Sequence, residues 1–224
     1  MFNLSKVINA RKILDLITSL LFKLFQIKLR HKEERKDYGI EIFEYFYLPW
    51  KVDDKFIKNY ELIKNFTLNP KSRLFTIHEM SKRYLTDNTS FVEVGCWKGG
   101  VSGLVAMENT HKKVDYFVCD TFSGVVNSSQ KDTFFKNGEY SNASIEDVKE
   151  VENITGQKFY IVEGIFPDSI EKTNISKPVS FAHIDVDTYV SAKESLDFLL
   201  GNAIQGAMII LSLIHISEPT RLGM

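Results

Sequence analysis

The sequence lacks an excess of charge of either sign. Lys and Arg number 28 against 29 Asp and Glu, which gives a formal net charge of −1 over 224 residues. A protein that holds DNA or RNA by its phosphates needs a positive field. We therefore exclude nucleic acid as the main partner and expect a small-molecule ligand.

Cysteine and proline are scarce as well. The two cysteines, Cys96 and Cys119, each lie within an apolar run, where a thiol behaves as a small buried hydrophobic side chain. They indicate neither a disulfide framework nor a zinc motif. With five prolines, 44% hydrophobic and 25% charged residues, the composition is that of a globular chain rather than a disordered or fibrous one.

The N-terminal residues lack the pattern of a secretory signal, so we expect the protein in the cytoplasm. Residues 5–30 carry apolar side chains at helical spacing with Lys and Arg around them, which predicts a basic amphipathic helix, and a charged linker follows to Asp37. Asp15 and Lys23 interrupt the roughly 20 apolar residues that a membrane span needs. We expect this helix to pack on the domain or on a partner subunit, as in a homo-oligomer; peripheral contact with an anionic membrane is the alternative.

The rest of the chain divides into a helical lead-in over residues 38–89 and a domain over residues 90–211. Two helices are predicted between Tyr45 and Leu85, the second with Asn69 as its cap and Pro70 as its first residue. Five short apolar runs then alternate with helix-like stretches: Phe91–Cys96, Tyr116–Cys119, Phe159–Val162, Val179–Ile184 and Ala207–Leu211. Near-continuous apolarity is typical of strands covered on both faces, so we predict an α/β fold with a doubly wound, mostly parallel sheet.

A glycine-rich turn follows the first predicted strand. Glu93 lies near the strand end, and Gly95, Gly99 and Gly100 follow it. Glycines let a ligand approach the backbone where side chains would block it, although such turns also serve purely structural strand-to-helix connections. The spacing is not that of the dinucleotide-binding pattern, which disfavours a nicotinamide-dependent oxidoreductase.

Asp120 ends the second predicted strand. In a doubly wound sheet an acid at this position can accept hydrogen bonds from both hydroxyls of a ribose, because ligands lie outside the carboxyl ends of the strands. The alternative is that Asp120 only caps the next turn. The glycine turn after the neighbouring strand favours the ribose interpretation.

Two carboxylates, Asp185 and Asp187, follow the fourth predicted strand one residue apart. Their repulsion is relieved by a cation or a proton, and a divalent metal is the natural partner. Asp187 has an alternative role as N-cap of a helix over Ser191–Leu200. His183 alternates with apolar residues and is expected in the core rather than as a ligand.

Four ordered segments resemble the macrocin O-methyltransferase-like family, sugar and macrolide enzymes that use S-adenosylmethionine and magnesium. The segments are Phe91–Gly100, Asp120–Gly124, Gly138–Ser144 and His183–Ser191, and the resemblance extends over about residues 48–211. It implies a Rossmann-like methyltransferase fold. It also implies metal-assisted methylation of a hydroxyl on a sugar or glycosylated small molecule.

The resemblance also implies roles for individual residues. The methionine part of the cofactor is assigned to Glu93, Gly95, Trp97, Gly99 and Gly100. The ribose is assigned to Asp120, Thr121 and Phe122, and the adenine side to Glu163 and Gly164. The cation and the removal of the acceptor proton are assigned to Asp185 and Asp187. The segment Phe134–Ser144 corresponds to the substrate-side loop.

The residues after Leu211 depart from the family. The family continues with a pair of acids that complete the metal site, whereas Ser212 and Leu213 stand here. Leu211 to Arg221 look like a translated sequencing-library adapter, so we expect residues 212–224 to be a non-native tail on a truncated domain that binds magnesium poorly and loses activity relative to the natural full-length parent. A genuine short C-terminus is the alternative.

A second function class stays open. A noncatalytic module that binds S-adenosylmethionine or a nucleotide, and docks on a membrane or partner through its N-terminal helix, would need the glycine turn but no paired carboxylates. Asp185 and Asp187 therefore favour the enzyme.

Overall fold

The computed structural model describes residues 48–126, 138–171, 173 and 175–212. The chain divides into two compact units, Met1–Tyr47 and Leu48–Met224, and the described residues belong to the second. The predicted N-terminal helix, the linker, Phe134 and the tail after Ser212 lie outside the described residues. The placements predicted for them, including contact with a membrane or a partner subunit, stay predictions.

A five-stranded sheet forms the centre of the described unit. Its strands are β1 (Thr89–Val94), β2 (Val114–Asp120), β3 (Phe159–Glu163), β4 (Val179–Ile184) and β5 (Ala203–Leu211). The spatial order is β3-β2-β1-β4-β5, and all neighbouring strands are parallel. The chain thus winds outward from β1 in both directions, which leaves a crevice between β1 and β4 at the carboxyl ends of the strands. The predicted doubly wound α/β fold is confirmed.

Helices precede and connect the strands. They are α1 (Asp54–Ile63), α2 (Lys71–Tyr84), α3 (Gly100–Glu108), α4 (Ile145–Thr155), α5 (Asp168–Glu171) and α6 (Tyr189–Asn202), with short 3₁₀ turns at Pro49–Lys51 and Lys64–Phe66. The helix α4 begins with a capping box in which Ser144 and Asp147 each bind the other's backbone N–H. In the described part of the chain, no helix combines the length and the apolar character that crossing a membrane requires.

The central strands β1 and β4 are covered on both faces: neighbouring side chains of one strand point to opposite sides, and every residue of these two strands is buried. In β1, Phe91 packs with the lead-in helices, whereas Val92 and Val94 pack with residues of α5 and α6 on the other face. Cys96 and Cys119 are free and buried, one on each face. Burial raises the pKa of both thiols well above the ordinary value, so they are packing residues, as predicted.

Several predicted boundaries differ from the structure. The strand β1 ends at Val94, two residues early, because Gly95 has a φ of +82° and turns the chain. The strand β5 begins at Ala203, four residues early, where it pairs with Val179 of β4. Pro70 is the N-cap of α2 rather than its first residue, and no side chain caps this helix. The predicted cap, Asn69, binds other partners instead.

The start of α3 lies against the turn that precedes α2. A Cβ on Gly100 would lie 2.5 Å from the carbonyl oxygen of Phe66, and a Cβ on Gly103 would lie 2.5 Å from Cγ1 of Val151. Real Cβ atoms essentially never come within 3.0 Å of another heavy atom. Glycine at these positions therefore lets α3 pack tightly between the lead-in and α4.

We expect Gly100→Ala to lower the free energy of unfolding by about 1–3 kcal/mol, because the backbone at Phe66 must move to admit the methyl group. The matched control is Gly201→Ala near the end of α6, where a Cβ would meet nothing within 4 Å. The control should be neutral or stabilising by up to about 1 kcal/mol. Urea unfolding followed by circular dichroism measures both variants, and equal stabilities would contradict the tight packing of α3.

Candidate functional site

A cavity of about 300 Å³ opens at the carboxyl ends of the strands. Its walls come from the loops after the first four strands, from the segment before α2 and from Ser212 after β5. Eight of the predicted site residues line it: Glu93, Gly95, Trp97, Asp120, Thr121, Gly164, Asp185 and Asp187. The fold therefore brings together residues that are separated by up to 94 positions in the chain.

Four predicted site residues are not part of the cavity wall. Gly99 is the N-cap of α3, where a Cβ would lie 3.3 Å from Val148, and Gly100 lies against Phe66. Phe122 packs on the hydrophobic core, and Glu163 is exposed at the end of β3. The structure thus gives the two glycines a packing role that the local sequence does not reveal.

Gly95 lies where the loops after β1 and β4 cross. Its φ is +82°, and a Cβ there would lie 2.3 Å from the carbonyl oxygen of Asp185. The crossing is held by backbone hydrogen bonds: Asp185 N donates to the carbonyl of Val94, and Gly95 N donates to the carbonyl of Cys119, each at 2.9 Å. Only glycine fits this position without moving the loop that carries Asp185.

Glu93 is the centre of a buried hydrogen-bond network and is 1% exposed. Its Oε2 accepts hydrogen bonds from the backbone N–H of Ser102, at 2.9 Å, and from the hydroxyl of Ser102. Its Oε1 lies 3.1 Å from Nδ1 of His183, whose Nε2 lies 2.8 Å from the hydroxyl of Ser212. His183 is buried as predicted. Both oxygens of Glu93 thus join β1 to α3 and β4, beneath the cavity.

The carboxylate of Asp120 binds the backbone of the glycine turn and of the loop that follows β2. Oδ2 accepts a hydrogen bond from the backbone N–H of Trp97 at 2.8 Å, and Oδ1 accepts one from that of Phe122 at 2.9 Å. Burial raises the pKa of Asp120, and the backbone hydrogen bonds partly oppose this shift. Asp120 therefore caps the turn after β2, which is the alternative role expected from the sequence. A carboxylate can accept about four hydrogen bonds, so Asp120 can also accept hydrogen bonds from a ligand in the cavity.

The segment after Asp120 pairs with the described part of the implied substrate-side loop. Val125 N donates to the carbonyl of Glu139 at 2.8 Å, and Gly138 N donates to the carbonyl of Val125 at 2.9 Å. Tyr140 lines the cavity beside this pair. Across the opening, the indole N–H of Trp97 donates to Oδ1 of Asn142 at 3.0 Å. The backbone pairing with Val125 and the contact with Trp97 therefore position residues 138–142, of which Tyr140 lines the cavity.

Asn69 is a site residue that sequence reasoning assigned wrongly. Its amide nitrogen donates to Oδ2 of Asp185 at 3.0 Å, and its amide oxygen accepts a hydrogen bond from Arg73 at 2.8 Å. Both Asn69 and Arg73 line the cavity. The helix after Asp187 begins with Thr188 as its N-cap, so Asp187 does not serve the alternative role of N-cap. Asp185 is therefore positioned by the lead-in as well as by the loop after β4.

The donor set around the two aspartates fits a weakly held divalent cation. Asp185, Asp187 and the hydroxyl of Ser212 are oxygen groups of one cavity, and magnesium commonly takes one or two carboxylates and keeps its waters. Within the described ranges, a group of three His, Cys, Asp or Glu ligands occurs at Asp53, His78 and Glu79, not at this cavity. Ser212, which carries no charge, stands at the position where the family resemblance places an acid.

Comparison with known proteins points to one family. The model of the macrocin-O-methyltransferase (TylF) family matches residues 63–222, including most of the predicted non-native tail. Two solved structures share the fold. The O-methyltransferase NovP has a TM-score of 0.54 and 20% identity over 65% of this chain and 66% of NovP. Calicheamicin methyltransferase CalS11 has a TM-score of 0.55 and 13% identity over 79% of this chain and 83% of CalS11. No curated protein sequence matches the chain.

Removing the hydroxyl of Ser102 tests the buried network. We expect Ser102→Ala to lower the free energy of unfolding by about 1.5–3 kcal/mol, because a buried carboxylate loses one of its donors. Ser72→Ala, an exposed serine in α2, is the control and should change stability by less than about 0.5 kcal/mol. Urea unfolding at neutral pH measures both. Equal effects would mean that Glu93 does not depend on this contact.

Proposed function

This chain belongs to the macrocin O-methyltransferase family, and we propose that it transfers a methyl group from S-adenosylmethionine to a hydroxyl of a sugar or glycosylated small molecule. One observation carries the proposal: a single cavity is lined by Gly95 and Trp97 of the turn after β1, by Asp120 after β2 and by the two aspartates after β4. Ligands of doubly wound sheets bind at this edge, where the strand order reverses.

The cavity offers the cofactor exposed backbone at two glycines and a carboxylate acceptor. Gly95 and Gly164 have φ values of +82° and +126° and present backbone without a side chain to the cavity. We assign the ribose hydroxyls to the carboxylate of Asp120, with Trp97 and Thr121 beside it as walls. When bound, S-adenosylmethionine supplies an electrophilic methyl group on its sulfonium sulfur.

The acceptor hydroxyl is assigned to the side of the cavity that carries Asp185 and Asp187. A carboxylate there would take the hydroxyl proton as the new carbon–oxygen bond forms and the bond from the methyl carbon to the sulfonium sulfur breaks, its electron pair staying on the sulfur. Holding the oxygen in line with the methyl group lowers the barrier further. The hydrogen bond from Asn69 fixes the orientation of Asp185. Magnesium, when bound by the two aspartates, supplies positive charge that makes the hydroxyl more acidic.

Ser212 favours a second candidate, a module that binds the cofactor without turnover. Its hydroxyl contacts His183, and it brings no negative charge to a cation beside Asp185 and Asp187. Under this alternative, the side of the cavity with Gly95 and Asp120 binds the cofactor, whereas the side with Asp185 and Asp187 does not hold a metal ion. Binding and turnover therefore have to be measured separately.

Loss of the Asp120 carboxylate should weaken binding of S-adenosylhomocysteine by about 10- to 100-fold, because a hydrogen bond to a charged group contributes about 1.5–3 kcal/mol. Asp115→Ala is the matched control: Asp115 is on the same strand but near its amino end, where it pairs with Lys177 at 2.8 Å. Isothermal titration measures both variants. Equal affinity of Asp120→Ala and Asp115→Ala would overturn the cofactor assignment.

Methyl transfer should require magnesium and the two aspartates. With labelled S-adenosylmethionine and a panel of sugar nucleotides and glycosides, we expect chelator to stop transfer and Asp185→Asn to lower it by about 100-fold or more, the usual size of a proton-transfer contribution. Asp197→Asn, an exposed acid of α6 that pairs with Lys193, should leave transfer unchanged. Cofactor binding without any transfer would favour the noncatalytic module, and chelator-insensitive transfer would refute the metal role.

A further inference from the structure

A second cluster of ionisable side chains lies outside the cavity, where the first three helices meet. Asp53 is the N-cap of α1, His78 and Glu79 belong to α2, and Glu108 is the last residue of α3. One ligand atom from each of Asp53, His78 and Glu79 lies within 4.8 Å of the other two. None of the four residues lines the cavity.

His78 is buried without a hydrogen-bond partner. It is 1% exposed, and neither ring nitrogen makes a hydrogen bond. Oε2 of Glu108 is buried and unpartnered as well. Buried polar groups in folded proteins are nearly always paired, and the exceptions call for an explanation such as an ion. Nε2 of His78 and Oε2 of Glu108 are neighbours, and a cation bound by both would give each of these atoms a partner.

The separations are those of two ligands to one cation. Nε2 of His78 lies 3.7 Å from Oε1 of Glu79 and 3.6 Å from Oε2 of Glu108, beyond hydrogen-bond distance. Two ligand atoms at about 2.1 Å from a tetrahedral zinc ion lie about 3.4 Å apart. Each of the two acids, taken singly with His78, is therefore near the separation of two ligands of one ion; the group whose ligand atoms all lie within 4.8 Å of one another is Asp53, His78 and Glu79, and Glu108 pairs with Lys55 through its other oxygen.

Neighbouring aromatic rings restrict the imidazole of His78, whereas the carboxylate of Glu79 can change its partner. The ring of His78 lies edge-on to Phe56, with centroids 5.4 Å apart, and is stacked on Phe75 at 6.0 Å. Lys82 contacts Oε1 of Glu79 at 2.8 Å and is 41% exposed, so its long side chain can move into solvent when a cation takes that oxygen. A rigid histidine beside movable acids is a suitable arrangement for a metal ligand set.

We propose that Asp53, His78 and Glu79, with Glu108 beside them, form a structural site for a zinc-type divalent cation that joins α1 and α2 to α3. Imidazole and carboxylates together suit zinc and other first-row metals, whereas magnesium and calcium take oxygen ligands alone. The site is separate from the cavity, so it serves the stability of the lead-in helices and does not depend on the methyl-transfer reaction.

The test is zinc binding by the full chain after treatment with chelator and dialysis. Asp185→Asn and Asp187→Asn are introduced first, so that bound zinc reports this cluster and not the cavity. Isothermal titration should then give one zinc ion per chain. The melting temperature should rise by about 5–10 °C at a zinc concentration roughly 100 times Kd.

Two further variants, His78→Gln and Glu79→Gln, are added to that background. We expect each of them to weaken zinc binding by at least about tenfold, because loss of a group that supports a metal site commonly lowers metal affinity by that factor or more. The matched control is Glu61→Gln, an exposed acid of α1 that pairs with Lys64, and it should bind zinc as the parent does. Glu79 lies near the surface, so its variant gives the answer even where His78→Gln does not fold. No zinc-dependent rise in the parent, or equal affinities of Glu79→Gln and Glu61→Gln, would overturn the proposal.

Discussion

The crossing of two backbone loops at Gly95 is the constraint on which the site depends. The loops after β1 and β4 approach so closely that a Cβ would lie 2.3 Å from the carbonyl oxygen of Asp185. The crossing lies at the point where the strand order reverses, and it brings the aspartates of one loop beside Gly95 of the other. A side chain at Gly95 would therefore disturb the cofactor half and the acceptor half of the cavity together.

The buried network of Glu93 supports this crossing from below. It links α3 and β4 through Ser102 and His183, and it reaches Ser212 at the end of the described chain. A buried carboxylate is costly unless its oxygens have partners, so these contacts are needed for the strands to keep their positions. The same network gives Ser212 a structural contact at the position where the family resemblance expects an acid.

Much of the fold could be predicted because its signals are local. Buried strands are visible as apolar runs, and Asp120, Asp185 and Asp187 follow them directly. The contact between Asn69 and Asp185 spans 116 residues, and Asn69 before Pro70 has the pattern of a helix cap, so its role could not be read locally. The space around Gly100 is set by Phe66, and the sequence contains no sign of that contact.

The most direct test of the account is a crystal structure of the chain with S-adenosylhomocysteine. The account predicts the ligand in the cavity between β1 and β4, with the ribose hydroxyls within hydrogen-bond distance of the Asp120 carboxylate and the sulfur facing Asp185 and Asp187. A ligand bound elsewhere, or a ribose turned away from Asp120, would contradict it.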